Sequence, residues 1–204
     1  MQTGEAFVDV KAFSRERARP LAPDDRRQAI VDAVIPLLRE HGRDVSTRQL
    51  AEAAGVAEGT LFRAFGDKDS ILEAAVERVR DPAPLRDALR GIDPDDPVDA
   101  KVRQVLQLLH TRFAEVVQFM SAFRMQGPPA RRGRPEDAEW LDIVDRLFRP
   151  GELRISGEDL GHFLRLLAFG SAIPVFNSAH PFDTDELAAL VLRGVLPDPS
   201  EGTR

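Results

Sequence analysis

The chain has 204 residues, a formal net charge of −6 at pH 7 and no cysteine; that length holds one sizeable core or a small domain beside a larger one, and disulfides and thiolate metal sites are excluded. Alanine and leucine abound, β-branched runs are scarce and apolar residues recur at helical spacing, so an all-α fold is predicted. The first thirty residues lack an apolar targeting core, and nowhere do eighteen apolar residues run together, which points to a cytoplasmic chain with no membrane partner.

Residues 1–22 show no clear period, and Arg15, Arg17 and Arg19 cluster before Pro20, so this segment reads either as a solvated tail or as a flexible basic arm. A helix is predicted from Pro23 to Glu40, with Ile30, Val34, Leu37 and Leu38 on one face and Asp24 and Asp25 suiting its N-terminal dipole. Pro36 should kink it, because a proline removes one backbone bond. Gly42 ends it.

The window from Val45 to Leu72 is the most informative in the chain. Ser46 with Gln49 forms a capping box that starts a short helix whose inward face is Leu50, Ala51 and Ala54. Gly55 takes the positive φ that stops this helix, and Val56 fills the angle to the next. The second helix starts near Ala57 and buries Leu61 and Phe65, leaving Glu58, Gly59, Thr60, Phe62 and Arg63 outward. Two short helices around a tight turn form the arrangement that places a helix in the DNA major groove. In that setting the arginines before Pro20 would serve as an arm entering the adjacent minor groove.

In Ser46-Thr47-Arg48, Leu50-Ala51, Ala54-Gly55-Val56, Gly59-Thr60-Leu61-Phe62, Phe65, and Lys68 followed by Leu72, the segment from Arg26 to Val79 resembles the TetR family of bacterial transcriptional regulators. The resemblance implies that Thr47, Thr60, Phe62 and Lys68 lie against the DNA backbone and that Arg48, Glu58, Gly59 and Arg63 lie nearer base edges. Arg48 and Arg63 suit direct readout, because a guanidinium donates two parallel hydrogen bonds to guanine O6 and N7. Three positions depart from the family's habit. Phe62 stands where tyrosine is usual, Glu58 where lysine is frequent, and Ala64 where histidine or tyrosine is common. The first and third remove polar contacts; the second repels phosphate yet accepts from cytosine N4.

Asp67 caps a further helix to about Arg80, which in the family connects the DNA-reading head to the regulatory body. Pro82, Pro84, Gly91, Pro94 and Pro97 then interrupt the chain, with a short helical piece around Leu85–Leu89. Helices are predicted over Val98–Phe123, Glu136–Phe148, Gly157–Phe176 and Thr184–Leu196, with Arg131–Pro135 a basic loop between the first two. The domains expected are an arm (1–22), a helix-turn-helix head (23–66), a connecting helix (67–80), a ligand-binding and dimerisation body (81–197) and a tail (198–204).

Gly161, Leu164, Ala168, Ser171, Ala172 and Val175 on one late helix, with Leu187, Leu190, Val191, Gly194 and Val195 on the other, read as an isologous four-helix contact between two copies, or else as completion of the monomer core. His110, Phe113, Phe119, Met120, Phe123, Trp140, Phe163 and Phe169 are the candidate lining of an effector pocket, the alternative being ordinary core. No Gly-rich phosphate loop, GxSxG or HExxH occurs, so no enzyme, catalytic residue, cofactor or metal is expected. The net acidity is compatible with DNA binding, since the local placement of Lys and Arg governs phosphate contact and most of the acidic surplus follows Asp81. The expected function is a homodimeric, effector-released repressor on a pseudo-palindromic operator. The alternative is a helical interaction module that keeps the fold without DNA binding.

Overall fold

A computed structural model describes residues 22–123, 136–178 and 182–195, with the side chains of α7 described from Glu139 onward. The arginine-rich arm, the 131–135 loop and the C-terminal tail lie outside the described residues. Every long element among the described residues is an α-helix: α1 (Pro23–His41), α2 (Thr47–Ala53), α3 (Glu58–Phe65), α4 (Lys68–Arg80), α5 (Ala83–Arg90), α6 (Val98–Ala122), α7 (Glu136–Asp145), α8 (Gly157–Ala172), the single turn α9 (Pro174–Asn177) and α10 (Thr184–Val195).

Local chemistry sets most of these boundaries. Ser46 accepts from the Gln49 amide while the Gln49 side chain returns to the Ser46 amide, closing the predicted capping box at α2. Asp67 accepts from the Ser70 amide at 2.7 Å and starts α4; this bond holds its carboxyl below the usual carboxylate range. Ser156 and Asp183 cap α8 and α10 in the same manner. α1 runs unbroken through Pro36 and passes at Gly42 into a 3-10 turn, Gly42–Asp44.

α8 does not reach Phe176 as periodicity predicts. It stops at Ala172, because the residue before a proline is pushed out of the helical region; Ile173, at φ −94 and ψ 115, is extended, and Pro174 then opens the separate turn α9.

Two cores result, and they share a helix. The head core gathers Ile30, Val34 and Leu38 of α1, Leu50 of α2, Leu61 and Phe65 of α3 and Ile71, Leu72, Ala75 and Val79 of α4 around Phe119 and Phe123 of α6. The body core packs Val102, Val105, Leu106 and Leu109 of the same α6 against α7 (Trp140, Val144), α8 (Leu160, Leu164, Ala168) and α10 (Leu187, Val191). Leu50, Leu61, Leu106 and Leu164 are wholly buried, and truncating a leucine in such a setting costs about 2–5 kcal/mol.

The predicted dimer side divides. Gly161, Leu164, Ala168, Leu187 and Val191 are buried inside the subunit, where a Cβ on Gly161 would already touch Leu141, Val144 and Trp140. The large apolar side chains left open on these helices are Phe163, Leu166 and Phe169 of α8, Val175 and Phe176 of α9 and Leu190 of α10. Of the predicted set Val175 and Leu190 thus stay exposed, while Phe163, Leu166 and Phe169 lie outside that set. Period alone could not separate the two faces, because α8 is apolar on both.

Where α1 ends it meets α6 backbone to backbone. Gly42 adopts φ 58, and a Cβ there would overlap the carbonyl oxygen of Ala122 and stand 2.8 Å from its carbon. Further along the same helices two ion pairs and a hydrogen bond link α1, α4 and α6: Arg78 of α4 binds Asp32 of α1 at 2.7 Å, Arg39 of α1 faces Glu115 of α6 at 3.9 Å, and Arg112 of α6 donates to the Asp81 carbonyl at 2.7 Å. Burial lowers the Arg112 pKa from its ordinary value, against the opposing pull of Glu115 and Asp81.

Candidate nucleic-acid interface

Leu50, Ala51, Leu61 and Phe65 pin α2 and α3 to the head core, and that fixes what points away from it. Arg48, Glu58, Gly59, Phe62 and Arg63 are exposed on the outer side of the pair; Thr47, Thr60 and Lys68 are half-buried at its margin. The structure thus brings all eight sequence-predicted positions to the outer surface or margin of the α2–α3–α4 unit. Phe62 is 42% exposed although it is large and apolar.

Polar side chains on this surface are engaged with one another. The Arg48 Nε donates to Glu52 Oε1 at 2.9 Å, one helical turn away, and this bond raises the Arg48 pKa above the ordinary arginine value, with a smaller contribution from Glu58. Thr47 Oγ1 donates to Glu58 Oε2 at 3.1 Å, tying α2 to the start of α3. Lys68 Nζ donates to the Arg43 carbonyl at 2.9 Å, so its ammonium is anchored to the turn after α1. Arg63 has no side-chain partner among the described residues. Glu52 escaped the sequence reading; its signal was the i,i+4 spacing to Arg48.

Gly59 carries a second message. Nothing lies within 4 Å of the position its Cβ would take, so packing inside the subunit does not require glycine. A helical glycine nonetheless costs about 1 kcal/mol relative to alanine.

The eight candidate pocket residues are not brought to one place. Phe119 and Phe123 stack at 4.6 Å between centroids inside the head core, and Met120 is buried beside them in sequence on α6. Phe113 instead meets Phe169 edge to face at 5.5 Å, and Trp140 meets His162 edge to face at 6.3 Å, both at the body core. His110 is half-buried on α6, and Phe163 lies on the open face of α8. A separate cleft of about 440 Å³ opens between α5, α6 and the start of α10, lined by Ile92, Leu108, Arg103, Gln104 and Gln107 among others. No group of histidine and carboxylate side chains suited to a metal occurs among the described residues, and none of their helices is long and apolar enough to cross a membrane.

A turn-linked helix pair with its apolar side buried and a polar, arginine-bearing side outward defines the class as a helix-turn-helix protein with an all-helical body. Residues 30–75 match the family described as bacterial regulatory proteins, tetR family. Among similar proteins, an uncharacterized HTH-type transcriptional regulator of Mycobacterium tuberculosis is 35% identical over 71 residues, 35% of this chain and 30% of that one. The nucleoid occlusion factor SlmA of Haemophilus ducreyi is 42% identical over 57 residues, 27% of this chain and 28% of that one. Both alignments span less than a third of the relative's own length. The crystal structure of a TetR transcriptional regulator from Streptomyces coelicolor superposes with a TM-score of 0.54 at 25% identity, covering 84% of this chain and 98% of that one. The tetR-family match thus covers residues 30–75, and the likeness of fold to a TetR transcriptional regulator extends over most of the chain.

Proposed function

We propose that this protein is a homodimeric transcriptional repressor whose α2–α3 face reads a pseudo-palindromic operator and which a small apolar or amphipathic effector releases. The observation that carries this reading is the outward placement of Arg48 and Arg63 while their neighbours Leu50 and Leu61 are wholly buried. Arginine on that face serves both phosphate contact and bidentate guanine recognition. Gly59 supports it, because the absent side chain serves no contact within the subunit and leaves room for the close approach of base edges. Thr47, Thr60, Phe62 and Lys68 then flank the phosphates, and Glu58 sits where a cytosine amino group would donate to it.

Gel-shift titration on DNA flanking the protein's own coding region tests the reading. Wild type is expected to shift at least one such fragment with strong salt dependence, and Arg48→Ala and Arg63→Ala are each expected to weaken that shift by about 1–3 kcal/mol, or roughly 5- to 150-fold. Absence of any shift at low salt would instead favour an interaction module.

The dimer in this reading forms through the open face of α8 and α10. Leu166 is 71% exposed and Leu190 52% exposed, Phe163 and Phe169 are exposed on the same helix as Leu166, and a two-fold axis there would bury these side chains against their copies. Leu166→Glu is expected to convert the dimer to monomer in sedimentation and to abolish tight operator binding, leaving the helical spectrum intact. A variant that stays dimeric would move the interface elsewhere.

The effector acts on the body, where Phe113 meets Phe169 between α6 and α8 and, separately, Trp140 meets His162 between α7 and α8. It releases DNA only by binding the non-binding conformation more tightly than the DNA-bound one.

A further inference from the structure

The pairing of Arg48 leaves one edge of its guanidinium engaged and the other open. Only Nε is hydrogen-bonded, to Glu52 Oε1 at 2.9 Å; the two terminal nitrogens make no hydrogen bond among the described residues. Both side chains are well exposed, Arg48 at 79% and Glu52 at 62%, so the contact is not forced by packing and adds little to folding. What it does is geometric. A carboxylate held on the Nε side orients the guanidinium plane and occupies its Nε edge, leaving the Nη1/Nη2 edge as the one free to donate two parallel bonds to guanine O6 and N7.

We infer that Glu52 is a positioning residue for base readout: it presents the terminal edge of Arg48 to a guanine in each operator half-site and discourages Arg48 from wandering to phosphates. The inference rests on the DNA-binding reading above and adds to it a residue that makes no base contact itself. Two effects follow from the one carboxylate. Orientation favours the correct base, and the negative charge at the DNA-facing surface weakens attachment to arbitrary sequence, since every uncompensated carboxylate near phosphate opposes the counterion-release term. Arg63, which has no comparable partner, lacks this restraint and suits a less selective contact.

Selection of bound duplexes from a randomised library, followed by titration at several salt concentrations, tests this with the full-length wild type, Glu52→Ala, Glu52→Gln, Arg48→Ala and the Arg48→Ala/Glu52→Ala double variant. Glu52 is exposed, and thermal melts confirm that each variant is folded. Wild type is expected to enrich a guanine that Arg48→Ala no longer enriches. Glu52→Ala is expected to lower preference for that guanine by about fivefold or more, the lower end of what a bidentate arginine contact discriminates, and to bind random duplex more tightly with a steeper salt slope. In the double variant, removing Glu52 is expected to leave base preference as Arg48→Ala alone has it. Glu52→Gln, whose amide oxygen still accepts from Nε, is expected to restore the guanine preference while keeping the tighter random binding. Full guanine preference in Glu52→Ala, or a guanine preference that survives Arg48→Ala, overturns the inference and leaves DNA binding standing. Failure of wild type to enrich or retain any duplex at low salt overturns both.

Discussion

Gly42→Ala is expected to destabilise the protein by about 3 kcal/mol or more, lowering the midpoint of thermal unfolding by roughly 6–12 °C for a chain of this size. Two separate costs combine. At φ 58 and ψ −132 an L-residue is strained, by about 1–3 kcal/mol. The added methyl would also overlap the Ala122 carbonyl oxygen and lie 2.8 Å from its carbon, and backbone cannot rotate aside as a side-chain tip does. Relief requires α1 and α6 to part, which loosens Phe119 and Phe123 from the rest of the head core. Gly55→Ala is the natural control: its φ is 64 but nothing lies within 4 Å of the new Cβ, so it incurs the conformational cost alone. Circular-dichroism melts of the two variants separate the terms, and equal losses would show that the α1–α6 approach contributes nothing.

Lys101→Met comes next in expected effect. Lys101 lies wholly buried on α6, and its ammonium uses all three donors: to the Pro94 carbonyl at 3.1 Å, the Leu147 carbonyl at 2.8 Å and Glu152 Oε2 at 2.8 Å. The ring of Phe148 lies 5.1 Å from the same nitrogen. Methionine keeps the volume of the stem but leaves those acceptors unmatched, and breaking a buried pair by removing one partner costs about 3–5 kcal/mol. The segments on either side, 93–97 before α6 and 147–152 after α7, lose their common anchor. Calorimetry at pH 7 checks the magnitude.

The pH dependence has a definite sign. Hydrogen bonds from Lys101 and from the Arg149 amide hold the Glu152 carboxyl below the usual carboxylate range. A carboxyl depressed in the folded state contributes stability that is present above its ordinary pKa, near 4.5, and is lost as pH falls through the lower folded value. Wild type and Lys101→Met should therefore differ most near neutrality, with a gap that narrows in acid by the Glu152 share alone. A gap that stays constant down to pH 3 would remove Glu152 from the account. Glu152 remains partly exposed, so the larger share of the loss belongs to the buried carbonyl contact with Leu147.

The head was legible in the sequence because its determinants are local. A capping box, a positive-φ glycine and apolar residues three and four apart each act within one or two turns, and Ser46, Gly55, Leu61 and Phe65 occupy the positions those rules assign. The body was legible only as helices. Which side of α8 meets its own subunit depends on α6, α7 and α10 packing together, and no window of sequence contains that information. The same limit scattered the aromatic candidates: one unbroken period runs along α6, yet Phe113 ends against the body core while Phe119 and Phe123 end in the head core. Lys101 left a faint trace, standing three residues after Val98 and four before Val105, in register with packed positions and out of keeping with a solvated lysine. Its three acceptors come from two connecting segments whose return to α6 is a tertiary event.

Since the two cores are built on a single rod of 25 residues, about 37 Å long at 1.5 Å per residue, neither can reorient without the other registering it. A tilt of about 5° imposed at the Val102–Leu109 end sweeps the Phe119–Phe123 end through roughly 2 Å if the rod stays straight. That sweep is more than half the spacing of successive base pairs, and it would reach the helix-turn-helix head through the glycine contact at Ala122 with no slack between the two backbones to absorb it.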